Sequence, residues 1–147
     1  MKSAKSILMK FDKGNIQPYI VIAAGLLSIV GHSASPFLKF KGGKGVATSL
    51  GVIIGINPII AVIAFGLWIV IVVVLRYVSV ASIVAGFSAP VMMFMSHDIP
   101  LPYSIFAAVA SLLIFIKHWS NLKRLISGTE PKFGQRVKLE EDNGSDK

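Results

Sequence analysis

Cysteine is absent from the 147 residues, so the chain has no disulfide framework and no thiolate chemistry, and its compartment cannot be read from redox usage. Acid is almost as scarce: no Asp or Glu stands between Asp12 and Asp98. Three separated histidines without a carboxylate in the apolar region argue against a protein-built metal site. Ser33 and Ser35 have no nearby Asp to complete a catalytic triad, and the nucleophile pattern GxSxG does not occur. The first fifteen residues carry lysines but neither an apolar core nor a small-residue cleavage site, which argues against a signal peptide.

Apolar bulk fills the chain instead. Hydrophobic residues make up 54% of it, and the stretch Asn57 to Leu75 has no charged side chain. At the rise of an α-helix that stretch crosses a hydrocarbon core about 30 Å thick. The apolar runs are Ile16–Val30, Val46–Ile56, Pro58–Leu75, Val78–Met95 and Leu101–Ile116. The second reaches only about 16 Å as a helix, half the core, and Asn57-Pro58 closes it. The expected fold is an all-α integral membrane protein with about four transmembrane helices and one half-length helix, re-entrant or interfacial.

Charge selects the path. Lys39, Lys41 and Lys44 follow the first run, Arg76 follows the third, and Lys117 to Lys147 hold seven Lys or Arg, whereas Ser96–Pro102 holds none. One long crossing over Val46–Leu75 would put the lysine loop and the basic tail on opposite faces. A half-helix that dips in and returns puts loop, Arg76 and tail together on the cytoplasmic side, with Ser96–Pro102 outside. The second path is preferred, and it requires protein or a polar cavity around the break. The net charge of +8 then reflects topology rather than nucleic-acid binding, for which the loop lacks base-stacking aromatics. Lys2, Lys5, Lys10 and Lys13 disagree, since a full span over Ile16–Val30 would leave them outside. Either the N-terminal stretch lies along the membrane surface or something is missing upstream. Residues 131–147 mix charges without an apolar face and read as a solvated tail behind a membrane domain of residues 1–130.

The loop Phe40–Ser49, "FKGGKGVATS", is the first chemical signal. Gly42, Gly43 and Gly45 permit a close backbone approach to a ligand, so that successive N–H groups point at one anion. A helix beginning at Val46 adds its free N–H groups and dipole. Lys41 and Lys44 add charge suited to phosphate. Gly45 stands where a Walker A loop needs Ser or Thr after Lys44, which disfavours a nucleoside triphosphate. The plain alternative is a flexible turn whose lysines serve topology. His32 opens the loop, either bonding a ligand or capping a span, and His97 lies on the opposite side.

The second signal is Lys117–Arg124, "KHWSNLKR". In one helix His118, Asn121 and Leu125 share a face. His118 can move a proton or donate a hydrogen bond, and Asn121 can donate from its amide. The alternative is an interfacial anchor, with Trp119 at headgroup level.

Two stretches, "GHSASPFLKFKGGKGVATSLG" (Gly31–Gly51) and "HWSNLKRLISGTE" (His118–Glu130), together resemble the bacterial membrane acyltransferases of the PlsY type, as does "LRYVSVASIVAGFSAP" (Leu75–Pro90). The resemblance covers roughly residues 23 to 133. It implies transfer of a fatty acyl group from acyl phosphate to glycerol 3-phosphate, giving lysophosphatidic acid for phospholipid synthesis at the cytoplasmic face of the bacterial inner membrane. No metal or other cofactor is implied. By that likeness Gly42, Gly43, Lys44 and Gly45 hold a phosphate, His118 and Asn121 stand at the reacting centre, and Glu130 braces the site. The other large glycerolipid acyltransferase class, with Asp five positions after His, is excluded, because those positions hold Phe37, Pro102 and Lys123.

One departure stands out. The family begins with an N-terminal span and a Gly/Ser/Asn/Thr-rich motif followed by arginine, and nothing upstream of Gly31 matches it; Gly14-Asn15-Ile16 is a faint echo. The chain is therefore expected to be a fragment, a split-enzyme half whose partner chain supplies the missing motif, or a non-catalytic relative binding a phosphate-bearing lipid precursor. A transporter ranks behind these, since one broken helix without a repeat does not make the paired halves of that class.

Overall fold

The computed structural model describes residues 13–33 and 42–135, with side chains from Pro18 onward. Six helices follow one another: α1 (Lys13–Ser33), α2 (Val46–Ile56), α3 (Pro58–Leu75), α4 (Val78–Met95), α5 (Leu101–Lys117) and α6 (Trp119–Ile126). Among the described residues there is no strand.

α3 and α4, 18 residues each, are long and apolar enough to cross a membrane. α5 and α6 make a third such element when joined, bent by 53° at His118. The outer faces are aliphatic. Ile59, Val62 and Val73 of α3 are 71%, 70% and 72% exposed, an arrangement suited to a lipid solvent. The chain is an all-α integral membrane protein.

Between helices in lipid, small residues let backbones approach. α4 buries Ala81, Ser82, Ala85 and Ala89, and α5 buries Ser104, Ala107, Ala110 and Ser111, at helical spacing. Polar groups on these faces find partners. Ser111 Oγ lies 2.6 Å from Gly86 O on α4 and 2.7 Å from Ala107 O of its own helix. Trp68 Nε1 on α3 donates to Ser82 Oγ, which donates to Val78 O. α1 packs on α5 and α2 through Ile29, Phe106 and Ala110, with Ile22, Leu26 and Val52 around them.

The break between α2 and α3 takes one residue. Asn57 donates its N–H to Ile53 O, accepts from Ala61 N–H, and caps α3 by accepting from Ile60 N–H on Oδ1. Pro58 follows at the first helical position, where its missing N–H leaves nothing unpaired. The direction change thereby leaves both backbone groups of Asn57 paired. The start of α2 and the end of α3 face the same segment: Lys44 bonds Asn121, and Arg76 bonds Phe133. α2 therefore dips in and α3 returns, as charge placement predicts. Ile53, Ile60, Ala61, Ala89, Met93 and Ala107 form the packed cluster at the far end.

The single helical face expected across Lys117–Arg124 is interrupted. α5 stops at Lys117 and α6 restarts at Trp119, and at the break the His118 ring bonds Ile114 O in the last turn of α5. Pro131–Gln135, the start of the expected tail, returns to Arg76 through Phe133. Lys39, Lys41, Lys2, Lys5, Lys10 and residues 136–147 lie outside the described residues.

Asn57→Ala is expected to lower stability by about 1 kcal/mol through loss of the α3 cap, and Asn57→Ser to retain most of it. Unfolding in detergent, followed by far-ultraviolet circular dichroism, checks the contrast.

Candidate anion site and apolar cavity

The ends of α1, α3 and α5 and the starts of α2, α4 and α6 gather at one end of the bundle. The loop before α2 is shaped there by contact with α1. A Cβ on Gly42 would fall on the carbonyl oxygen of His32, and one on Gly43 would fall on the His32 ring. Gly45 takes φ 77°, the left-handed conformation that favours glycine, and starts α2. No side chain caps α2. Ser49 N–H is the first to reach a helical acceptor, Gly45 O at 2.8 Å, so the N–H groups of Val46, Ala47 and Thr48 have no helical acceptor. Lys44 stands directly before them.

A chain of charge-assisted bonds fixes the opposite wall. Lys44 Nζ donates to Asn121 Oδ1 at 2.6 Å, Asn121 Nδ2 donates to Glu130 Oε1 at 2.7 Å, and Arg124 Nε donates to Glu130 Oε2 at 2.8 Å. Burial works against the Glu130 carboxylate, yet the bonds from Asn121 and Arg124, with the Ser79 hydroxyl close by, outweigh it and hold the carboxyl below its ordinary range. Lys44 is shifted down, mainly by desolvation; Glu130 opposes this and Arg124 adds to it. One amide hydrogen of Asn121 is committed to Glu130, which leaves one free to donate.

His118 is 2% exposed. Its Nδ1 lies 2.8 Å from Ile114 O, so Nδ1 carries the proton and Nε2 is left as an acceptor.

Below these groups opens a cavity of about 640 Å³. Lys44, Ser79, His118, Asn121 and Glu130 line its mouth. Ile53, Ala64, Ala89 and Ala107, one from each of α2 to α5, line its depth. Ala89 and Ala107 each lie eleven residues from the mouth residues Val78 and His118, a depth of about 16 Å along either helix. Two buried hydroxyls that line the cavity, Ser49 Oγ and Ser79 Oγ, have no hydrogen-bond partner of full geometry, although Ser79 faces Glu130 closely enough to favour its charge. Among the described residues no group of acidic, His or Cys side chains could hold a metal ion.

The structure thus brings together Gly42, Gly43, Lys44, Gly45, His118, Asn121 and Glu130. His32 reaches the group only as the surface on which Gly42 and Gly43 rest. Lys41 lies outside the described residues. Sequence reading passed over Ser49 and Ser79. Their signal was a hydroxyl in the first turn of each of two apolar helices.

A family profile described as glycerol-3-phosphate acyltransferase matches residues 2–128. The chain belongs to that family. Its relatives include the glycerol-3-phosphate acyltransferase of Trichormus variabilis, 40% identical over 129 residues that make up 88% of this chain and 57% of the relative. Glycerol-3-phosphate acyltransferase 2 of Moorella thermoacetica is 44% identical over 119 residues, 81% of this chain and 61% of that one. Crystal structures of PlsY (YgiH), an integral membrane glycerol 3-phosphate acyltransferase, in glycerol 3-phosphate and lysophosphatidic acid forms, each share 42% identity at a TM-score of 0.73. They cover 77% of this chain and 56% and 57% of theirs. The chain therefore spans little more than half the length of these family members.

Gly42→Ala should destabilise the fold by about 1–3 kcal/mol, since backbone must move. Gly43→Ala should cost less, because the exposed His32 ring can swing aside; thermal unfolding in detergent compares them. Glu130, with its folded pKa depressed, stabilises fully above the ordinary carboxylate range, and that contribution is lost as pH falls through the folded value. The acid limb of the stability curve should flatten in Glu130→Gln, and an unchanged limb would deny the bonds from Asn121 and Arg124 any weight.

Proposed function

We propose that this chain carries the acceptor site and the acyl-chain cavity of an enzyme that transfers an acyl group from acyl phosphate to glycerol 3-phosphate, giving lysophosphatidic acid for phospholipid synthesis. The observation that carries the reading is the placement of Lys44 and the uncapped start of α2 at the mouth of a deep apolar cavity. Family membership and the two ligand forms named for the PlsY structures support it.

The residues suit the chemistry. Gly43 to Gly45, Lys44 and the first N–H groups of α2 hold the phosphate of glycerol 3-phosphate, with Gly42 and His32 shaping the loop. Lys41 is assigned to the same phosphate as a second charge. The buried hydroxyl of Ser79 offers a further donor. The acyl tail lies along Ala85, Ala89, Ala107 and Ala110. His118, held through Nδ1, positions the attacking hydroxyl, and Asn121 directs its free N–H to the reacting group. Glu130 braces both Asn121 and Lys44 and is not the base, since its carboxyl is held strongly ionised.

In the transfer the hydroxyl oxygen bonds the acyl carbon, the carbon–oxygen bond to phosphate breaks, and the hydroxyl proton passes to a phosphate oxygen. Phosphate leaves readily, so alignment and positive potential supply most of the acceleration. The enzyme works without a metal or cofactor. The cationic end, with Lys44, Arg76, Lys117, Lys123 and Arg124, supports a site on the cytoplasmic face of the bacterial inner membrane, although Lys13 stands with Asp98 at the other end. A partner segment or chain supplies the family's first motif.

Acyl transfer is measured on membranes holding this chain, alone and together with a segment bearing that motif. His118→Ala and Asn121→Ala should each lower turnover about 100-fold with insertion intact; normal turnover would return both residues to membrane anchoring. Binding of glycerol 3-phosphate without transfer in either membrane would favour a non-catalytic relative that holds a phosphate-bearing lipid precursor. Labelling of Lys44 by an impermeant reagent from outside the cell would overturn the cytoplasmic placement.

A further inference from the structure

The turn between α3 and α4 has no part in the chemistry above, yet it is the most constrained point of the surface. Arg76 takes φ 61° and is the one non-glycine residue with positive φ among the described residues. Glycine is the residue this helix end favours. Besides a backbone bond that any residue here would make, arginine adds side-chain bonds to the same distant residue. Phe133 N–H donates to Arg76 O at 2.6 Å, while Arg76 Nε and Nη2 donate to Phe133 O at 3.3 Å and 3.0 Å. Beside them, Lys132 Nζ lies 5.7 Å from the centre of the Tyr77 ring. Gly134, with φ 82°, turns the chain away next to the guanidinium.

Glu130 stands three residues before Phe133. From the other side, its own N–H and that of Thr129 bond Arg124 O at 3.1 Å and 2.8 Å. The segment Thr129–Gln135 is therefore tied at α6 and again at Arg76, with the Glu130 side chain, 6% exposed, held between the ties.

We propose that Arg76 is a positioning residue that latches the Thr129–Gln135 segment onto the start of α4 and so sets Glu130 beneath Asn121 and Lys44. The latch stands on this geometry; its consequence for acyl transfer rests on the function proposed above. Strained backbone of this kind persists where surrounding bonds hold it. Here those bonds come from the segment that carries the site's carboxylate.

Arg76→Gly separates the latch from folding, because glycine accepts φ 61° more readily than arginine and only the side-chain bonds are lost. The first readout is cleavage by trypsin after Lys132, which should rise roughly tenfold as the segment opens. The second is modification of Lys44 by a small amine-reactive reagent, read by mass spectrometry. With Glu130 displaced, less holds the ammonium charged, and labelling should speed up several-fold. Both should return to the parent rate in oxidised Arg76→Cys/Phe133→Cys, whose disulfide is the only one available in a chain without cysteine, and relapse on reduction. The kcat/KM for glycerol 3-phosphate should fall about tenfold in Arg76→Gly and recover with the cross-link.

Unchanged cleavage after Lys132 would overturn the latch, and faster cleavage with unchanged Lys44 labelling would overturn its effect on Glu130. Neither readout needs catalysis. A parent chain that transfers no acyl group while both rates respond to Arg76→Gly would count against the proposed function and leave the latch standing.

Discussion

One carboxylate organises the cationic end of this protein. Lys44, Arg76, Lys117, Lys123, Arg124 and Lys132 crowd a small region in which Glu130 is the one described acid. Without it, mutual repulsion would splay the loop before α2 away from α6. Glu130 is spent on Arg124 and on the Asn121 amide, and the other end of that amide takes Lys44. The outcome is an ordered arrangement with positive charge left over. Burying charge is tolerable when every partner is placed and hydrogen-bonded, and Glu130 meets that condition from three directions. Most of what a phosphate would meet at Lys44 is set by a residue that never touches it.

The second constraint comes from the solvent. In hydrocarbon a backbone cannot reverse unless its polar groups are paired. The turn at Asn57 pairs that residue's own N–H and C=O and caps one N–H of α3, by joining a helix end, a cap and a proline start. Because the reversal is so short, α2 remains packed among α1, α3, α4 and α5, and its uncapped start faces the bundle end. A longer loop there would have needed water or protein to cover it.

Much of this was legible in the residues. The borders of α2, α3 and α4 fell where apolar runs met Asn57-Pro58, Arg76-Tyr77 and Ser96: Asn57-Pro58 ends a helix, Arg76 carries a charge that hydrocarbon excludes, and Ser96 opens a polar stretch. The shared side of Lys44, Arg76 and the basic segment followed from charge counting alone. The lysine-glycine loop and the His118–Asn121 pair were found through composition and family likeness. Other features were out of reach. The contact of Gly42 with the His32 carbonyl depends on where α1 ends, a tertiary matter that leaves no local trace. The break at His118 looked like continuous helix because no glycine or proline marks it; what stands there is a ring bonding its own backbone. Ser49 and Ser79 read as ordinary small residues of packed helices, and only burial without partners set them apart. The return of Phe133 to Arg76 is a contact across 57 positions, in a stretch whose composition suggested solvent.

The cavity's shape bears on how molecules come and go. Its charged rim lies at the end of the bundle where the helices terminate, and its apolar shaft runs from there along α4 and α5. An amphiphile seated with its anionic head by Lys44 and its tail toward Ala89 and Ala107 already has the orientation it holds in its own leaflet. Arrival and departure then call for sliding, never for turning over. The bilayer itself becomes the reservoir that feeds and drains the site.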